Sequence, residues 1–585
     1  MSTRALLFCV MVSMPTALPA QGVTTSSLNG IVTDETGAPL TETNVTAVHV
    51  PSNTEYRAIV RPGGAYNIPN MRVGGPYRVT VARIGYAPQV RDDVFLNLGQ
   101  AFRLDFRLVA QAITLGPIET AAERDNVLNA GRTGAATYIE PTQVALMPSV
   151  KRSTRDLTRL DPRSDGNFAF GGRNWLYNNI SLDGSYFNNP FGLDDPAPGG
   201  QTSAEPVPYD AVEEVEVSLA PFDVREGGFT GANINTVTKS GTNTLRGSLY
   251  TFFRNETLEG NEVSGSEVIA NPELSYIQSG FAISGPLIRD KLFFYVNAEL
   301  ERTDDPGSNF VANRGEPPGT FGVSRVRAST MDSIRQRMIS EYSYDPGPYE
   351  GYINETDNNK LLLKLDWNIN DNNNLTFRYN MLDAQRDLPP HPFVLSVNNT
   401  GRGPNESSLP FRNSGYRINN DMHSFALELN SRSSRWANRF FASYNRFRDN
   451  RDPLSVDFPT VEIGEAGVTY TTVGHEPFSI HNILDQDVVQ LTNNFTLFKN
   501  RHALTFGANY ESFSFFNSFN IFRHGVFFLD YTIPIGSTFP TLSEFFTATE
   551  PGGGQKDFLG MIGSGFFKGE NISVGQFSLY AQDEL

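Results

Sequence analysis

The stretch KLLLKLDWNINDNNNLTFRYNM (360–381) decides the fold. Leu361, Leu363, Leu365, Trp367 and Ile369 fall on one side of a two-residue period. Lys360, Lys364, Asp366 and Asn368 fall on the other, with Leu362 as the exception. The polar run 370–374 makes a tight turn. Leu375, Phe377, Tyr379 and Met381 then resume the apolar side, opposed by Thr376, Arg378 and Asn380. The figure recurs downstream. Phe425, Leu427 and Leu429 turn back through Phe440, Ala442 and Tyr444. Val489, Leu491, Phe495 and Leu497, with Asn493 out of place, return through Leu504, Phe506, Ala508 and Tyr510. Upstream, a turn near 285–291 leads into Phe294, Val296, Ala298 and Leu300.

The connections alternate in length. Those near 286–291, 370–374, 431–435 and 498–502 are short; those at 302–358, 383–420, 446–487 and 514–573 are long and polar. Short turns at one end and long loops at the other, with uncharged apolar faces, predict an antiparallel transmembrane β-barrel rather than a soluble sandwich. Trp367 and Trp436 near the short turns, and Tyr379, Tyr444 and Tyr510 near the long loops, fit two aromatic girdles. About ten such strands are expected between Leu245 and Leu585, the last at Ser573–Glu584.

Outward from this region the chain changes character. Residues 1–20 read as a signal peptide: Arg4, an apolar run from Ala5 to Met14, then small residues to Ala20. Residues 23–110 alternate short β-rich runs (Leu28–Thr33, Val45–Val50, Tyr77–Ala82, Phe102–Leu108) with Gly turns, the pattern of a small β-sandwich. Residues 111–240 mix helix-like stretches (Pro141–Met147, Arg152–Leu160) with Gly- and Asn-rich sequence, a strand pattern at Val212–Val217 and a small-residue run at Gly231–Gly241. The expected fold class is thus mainly β: an N-terminal sandwich, an α/β middle domain and an antiparallel barrel sheet.

Composition removes several functions. The net charge is −17, with no Lys/Arg block, which argues against nucleic acid. Cys9, inside the signal peptide, is the only cysteine, so no disulfide or cysteine metal site is expected. None of the seven His (49, 391, 423, 475, 481, 502, 524) begins a His-x-x-Glu pair. A G-x-S-x-G elbow, a phosphate loop and a C-x-x-C pair are likewise missing, so no catalytic, cofactor or metal residue is expected. Asp194-Asp195 is an acidic pair able to touch Ca²⁺, although such pairs are usually solvated loop.

The wording adds a resemblance. GIVTDETGAPLTETNVTAVHV and GAYNIPNMRVGGPYRVTVARIGY (30–50, 64–86) resemble the carboxypeptidase regulatory-like domain, a carbohydrate-binding-like, transthyretin-type sandwich. Phe170-Gly171-Gly172-Arg173, Ile180-Ser181-Leu182-Asp183-Gly184, the strand VEEVEV and GANINTVTKSGTN resemble the plug of TonB-dependent receptors. APFDVREGGFTGANINTVTKSGTN (220–243), YNNISLDGSYFNNPFG (177–192) and SGPLIRDKLFFYVNAELER (284–302) are similar to the Oar-like subgroup.

The resemblance implies a plug at 128–240 and the N-terminal part of an outer-membrane barrel at 245–585. Gly171, Gly172, Arg173, Asp183, Gly184, Asn233, Asn235 and Lys239 would be structural residues of a four-stranded plug sheet. Family barrels have about 22 strands, so a C-terminally truncated chain is expected. The implied activity is not enzymatic. It is binding of an extracellular oligosaccharide, peptide or siderophore-like ligand, imported with energy relayed by the TonB–ExbB–ExbD complex. Outer-membrane lipid and a surface lipoprotein are further partners. A linker at 111–127 would carry the Ton box, at Ile118, Glu119 and Thr120. The competing reading is a glycan-binding or adhesion protein without transport.

Overall fold

A computed structural model describes residues 22–584, apart from 111–117, 122–135, 150, 167, 190–194, 222, 270–272, 391–401, 528–538, 552–556 and 564–565. The expected signal peptide lies outside the described residues. Ten strands run in sequence order through one antiparallel sheet: Arg246–Asn255, Ser275–Ile288, Leu292–Pro306, Ile353–Asn370, Asn373–Leu388, Tyr416–Arg432, Trp436–Pro453, Asn482–Lys499, His502–Ser518 and Glu570–Glu584. The first and last of these each pair on one side only among the described residues. The longest have 18 residues, against roughly 9–11 needed to cross a bilayer at a tilt, so each extends past the lipid band.

The two-residue period separates the faces as the sequence predicts. Trp367, Trp436, Tyr444 and Tyr510 stand exposed on one face, and Tyr379 lies half-buried beside them. Lys360, Lys364, Arg378 and Asn380 are buried on the other. The exception, Leu362, is on this inner face and fully buried in the apolar core of the middle domain. Asn493 does point outward with the apolar set, and the structure shows why it is tolerated. Its amide exchanges hydrogen bonds with Asn438 on the neighbouring strand, at 2.9 and 3.1 Å, so neither polar group faces hydrocarbon unpaired.

The long connections differ from the sequence expectation. They are not simply polar loops: they fold into a cap with its own apolar core. The helix Ala328–Tyr342 buries Ala328, Met331, Ile334, Met338 and Tyr342, a three-to-four-residue spacing. This stripe packs with Phe411, Phe458, Val461, Ile463, Tyr470, Phe527, Phe539, Phe545 and Phe558 from the other loops. The period-two test misses this core because its residues come from four separate connections.

The sandwich has one sheet in which Ser26–Asp34 pairs with Ala65–Met71, Ala101–Arg103 and Phe106–Leu108. The other orders Thr54–Ile59, Asn44–His49, Gly74–Ala82, Gln89–Leu96 and Ile118–Ala121. The expected continuous run Phe102–Leu108 is broken at Leu104–Asp105, where the Asp105 carboxylate takes the Ile31 N–H at 2.8 Å. The middle-domain sheet orders Ala136–Ile139, Val212–Ser218, Asn233–Thr238, Asn179–Leu182 and Ser185–Tyr186. It has five strands rather than four, the fifth being the return arm of the turn at Asp183-Gly184.

Candidate functional site

The middle domain lies on the inner face of the ten-stranded sheet. Its Leu182, Phe187 and Val215 share one apolar cluster with Leu362, Leu382, Met422 and Phe447 of the wall. Polar contacts surround that cluster. Asp183 and Gly184 both take positive φ, +44° and +79°, which a two-residue hairpin turn requires. The turn pushes the Asp183 carboxylate toward the wall, 3.4 Å from Lys364 Nζ and 3.7 Å from Arg378. The same carboxylate accepts from Thr238 N–H at 2.9 Å and Thr238 Oγ1 at 2.7 Å. Burial alone would raise the Asp183 pKa, but Lys364, Arg378 and the two Thr238 hydrogen bonds together hold the group below its ordinary value. Arg378, fully buried, also donates to Leu182 O (2.6 Å), Ser185 Oγ (2.9 Å) and Ser424 Oγ (2.7 Å). Asn380 donates to Pro206 O at 2.7 Å, and Asn445 to Tyr186 O at 2.6 Å.

The other motif residues sit in turns and hydrogen bonds of the middle domain. Gly171 and Gly172, at φ +57° and +76°, form a tight turn closed by Arg173 N–H to Phe170 O at 3.0 Å. Asn233 and Asn235 are buried: Asn233 donates to Glu226 at 2.9 Å, and Asn235 reaches the first residue of the sandwich, donating to Val23 O at 2.5 Å. Lys239 donates to Asp210 O at 2.7 Å. Asp195 forms an ion pair with Arg155, which occupies the acidic pair's one described carboxylate; Asp194 is outside the described residues.

The sandwich docks at the short-turn end of the sheet. Arg432 sits 4.2 Å over the Tyr56 ring, Asn368 donates to Thr54 Oγ1 at 2.8 Å, and Thr24 Oγ1 donates to Glu428 at 2.5 Å. A cavity of about 530 Å³ opens where sandwich, middle domain and wall meet, lined by Arg72, Asp183, Glu213, Lys239, Lys364 and Arg378 among others. Glu214 bridges the two domains by accepting the Leu98 N–H at 2.8 Å. Burial pushes its pKa up to about 8. The strand Ile118–Ala121 pairs parallel with Gln89–Asp92 at the edge of the sandwich. The candidate coupling segment is therefore extended, which β-augmentation requires, and one of its edges is already engaged.

Residues 237–584 match the model of the outer membrane beta barrel domain, and residues 27–109 that of the carboxypeptidase regulatory-like domain. The chain belongs to the outer membrane beta barrel domain family. Among curated relatives, it is 23% identical over 368 residues to the TonB-dependent transporter Oar of Myxococcus xanthus, covering 61% of this chain and 33% of Oar. It is 32% identical over 99 residues to the probable TonB-dependent siderophore receptor PirA of Acinetobacter baumannii, covering 17% and 12%. This barrel protein thus spans a third or less of the length of these relatives. The outer membrane transporter YddB from Escherichia coli aligns over 77% of this chain and 54% of its own, at 12% identity and a TM-score of 0.47.

Sequence reasoning missed the wall residues that receive the middle domain, although Lys364 and Arg378 were legible as charges on the inner face. It also expected no metal-binding residues, yet the cap brings Asp457, His475 and His524 together. Their sequence separations match no ligand motif, so no local signal marks them.

Proposed function

We propose that this protein acts as a TonB-dependent receptor. Residues 128–240 serve as the plug inside the barrel of 245–585, and the sandwich of 23–110 faces the periplasm of a Gram-negative-type cell after export by the signal peptide at 1–20. The long-loop cap meets an extracellular ligand of the oligosaccharide, peptide or siderophore-like class, and TonB, driven by ExbB–ExbD, draws on the plug to admit it. The observation that carries this reading is how the plug is attached. It meets the wall through a rim of hydrogen bonds and ion pairs around Asp183, Lys364 and Arg378, groups that water can re-solvate when the domain shifts. The similarity to Oar, and the matches of the barrel and sandwich regions to their family models, support it.

In this reading Ile118, Glu119 and Thr120 offer TonB a strand. The test is capture of the full chain, in detergent, by the periplasmic domain of TonB. Ile118→Pro removes a backbone N–H and is expected to abolish capture while the heat-modifiable barrel band persists. Undiminished capture of that variant would remove the coupling role of this segment. An adhesion protein without transport would show no capture of the parent chain.

A further inference from the structure

The cap contains a three-residue cluster that the receptor reading does not use. Asp457 precedes the strand Thr460–Glu465, His475 follows the strand Val468–Val473, and His524 precedes Val526–Phe527. Those strands form one three-stranded sheet with Thr460–Glu465 in the centre, so the three side chains converge at one sheet end. The backbone fixes them there. Thr460 N–H donates to Gly525 O at 3.1 Å, and Thr460 Oγ1 donates to His475 O. Gly474, at φ +100°, lets the chain pass so close to Pro459 that a Cβ would lie 1.8 Å from its carbonyl oxygen.

The side-chain geometry is that of a donor set. One ligand atom of each residue lies within 4.8 Å of the others. His524 Nε2 is 3.4 Å from Asp457 Oδ1. This is long for a hydrogen bond, but close to the roughly 3.3 Å between donors in a tetrahedral shell with bonds near 2.0–2.1 Å. His475 Nδ1 is 2.7 Å from Glu476 O. A carbonyl only accepts, so Nδ1 carries the proton and the Nε2 lone pair is left for a ligand role. Both imidazoles are buried, at 2% and 3% exposure. They meet edge-on with ring centroids 5.0 Å apart. His524 Nδ1 is buried without a hydrogen-bond partner among the described residues. Two adjacent buried imidazoles are costly unless their remaining lone pairs find a partner.

We propose that Asp457, His475 and His524 bind a divalent ion of the zinc class, which clips two of the outer loops together. Two imidazoles and one carboxylate suit zinc and its first-row neighbours, not calcium or magnesium. The ion joins loop 454–481 to loop 519–569. The Asp457 side chain is 70% exposed, so the fourth position opens to solvent, where water or a donor atom of an arriving ligand completes the shell.

The test uses the full chain in detergent, stripped with a chelator and titrated with Zn²⁺ alone. One equivalent is expected to bind, to slow proteolysis within 519–569, and to be matched by no response to Ca²⁺ at the same concentration. His475→Gln and His524→Gln are each expected to weaken Zn²⁺ binding by at least about 100-fold. His481→Gln, a loop histidine stacked on Phe567 outside the cluster, should leave it unchanged. Because the buried histidines contribute to packing, Asp457→Asn supplies a variant of an exposed side chain, also expected to weaken binding. Failure of the parent chain to retain zinc would overturn the proposal, as would parent-like affinity in His475→Gln or Asp457→Asn.

Discussion

The middle-domain–wall interface and the loop cap lie at different levels of the same ten strands, and they differ in how many charged groups they bury. At the wall, fully buried Arg378 and the nearly buried Lys364 answer Asp183 from the middle domain, around an apolar centre. In the cap, aromatic rings dominate: Phe458 stacks on Tyr344 at 4.1 Å and meets Tyr342 and Phe558 at 6.3 and 5.8 Å. Polar contacts can be exchanged for water as a domain moves, whereas apolar burial is lost outright when its surface separates.

The largest effect should come from breaking the wall contact on one side. Asp183→Ala leaves Lys364 and Arg378 buried without their carboxylate, at a cost of about 3–5 kcal/mol. Faster hydrogen exchange across 179–186 and 233–238 is the readout, and unchanged exchange would show that the ion pairs do not hold the domain. Phe458→Ala is the counterpart in the cap, 1% exposed at present, and should cost about 3–5 kcal/mol of cap stability. Protease cleavage should appear in the long loops while the heat-modifiable barrel band is retained. If barrel and cap unfold together instead, the two regions are one cooperative unit.

Glu214 adds a pH-dependent comparison at the contact between sandwich and middle domain. Its folded pKa, about 8, exceeds the ordinary 4.5, so the protonated form favours the fold. That contribution is complete below about pH 4.5 and is lost as pH rises through about 8. Glu214→Gln should remove this slope, worth a few kcal/mol at most across the window. Melting temperatures of parent and variant from pH 4.5 to 8 test it, and parallel curves would refute it. The smallest effect is expected on the lipid face. Asn493→Leu leaves the Asn438 amide unpaired, costing about 1–2 kcal/mol, whereas the double change of both residues to Leu should be close to neutral. A double-mutant cycle in the detergent-solubilised barrel measures the difference.

The sequence by itself determined the strands, their faces and the short turns, because a two-residue period and an Asn-rich turn are written within a few residues of each other. Asp183-Gly184 suits the hairpin found there, since left-handed backbone positions carry their own residue preferences. Tertiary structure alone decided what those faces meet. Leu362 looked like an error in the pattern and proved to be a contact with the middle-domain core. Asn493 looked like a second error and proved to be half of an amide pair. The cap core, the convergence of Asp457, His475 and His524, and the capture of Ile118–Ala121 by the sandwich edge join segments distant in sequence. Such contacts depend on sheet register and on how separate loops fold over one another, and local periodicity carries no record of either.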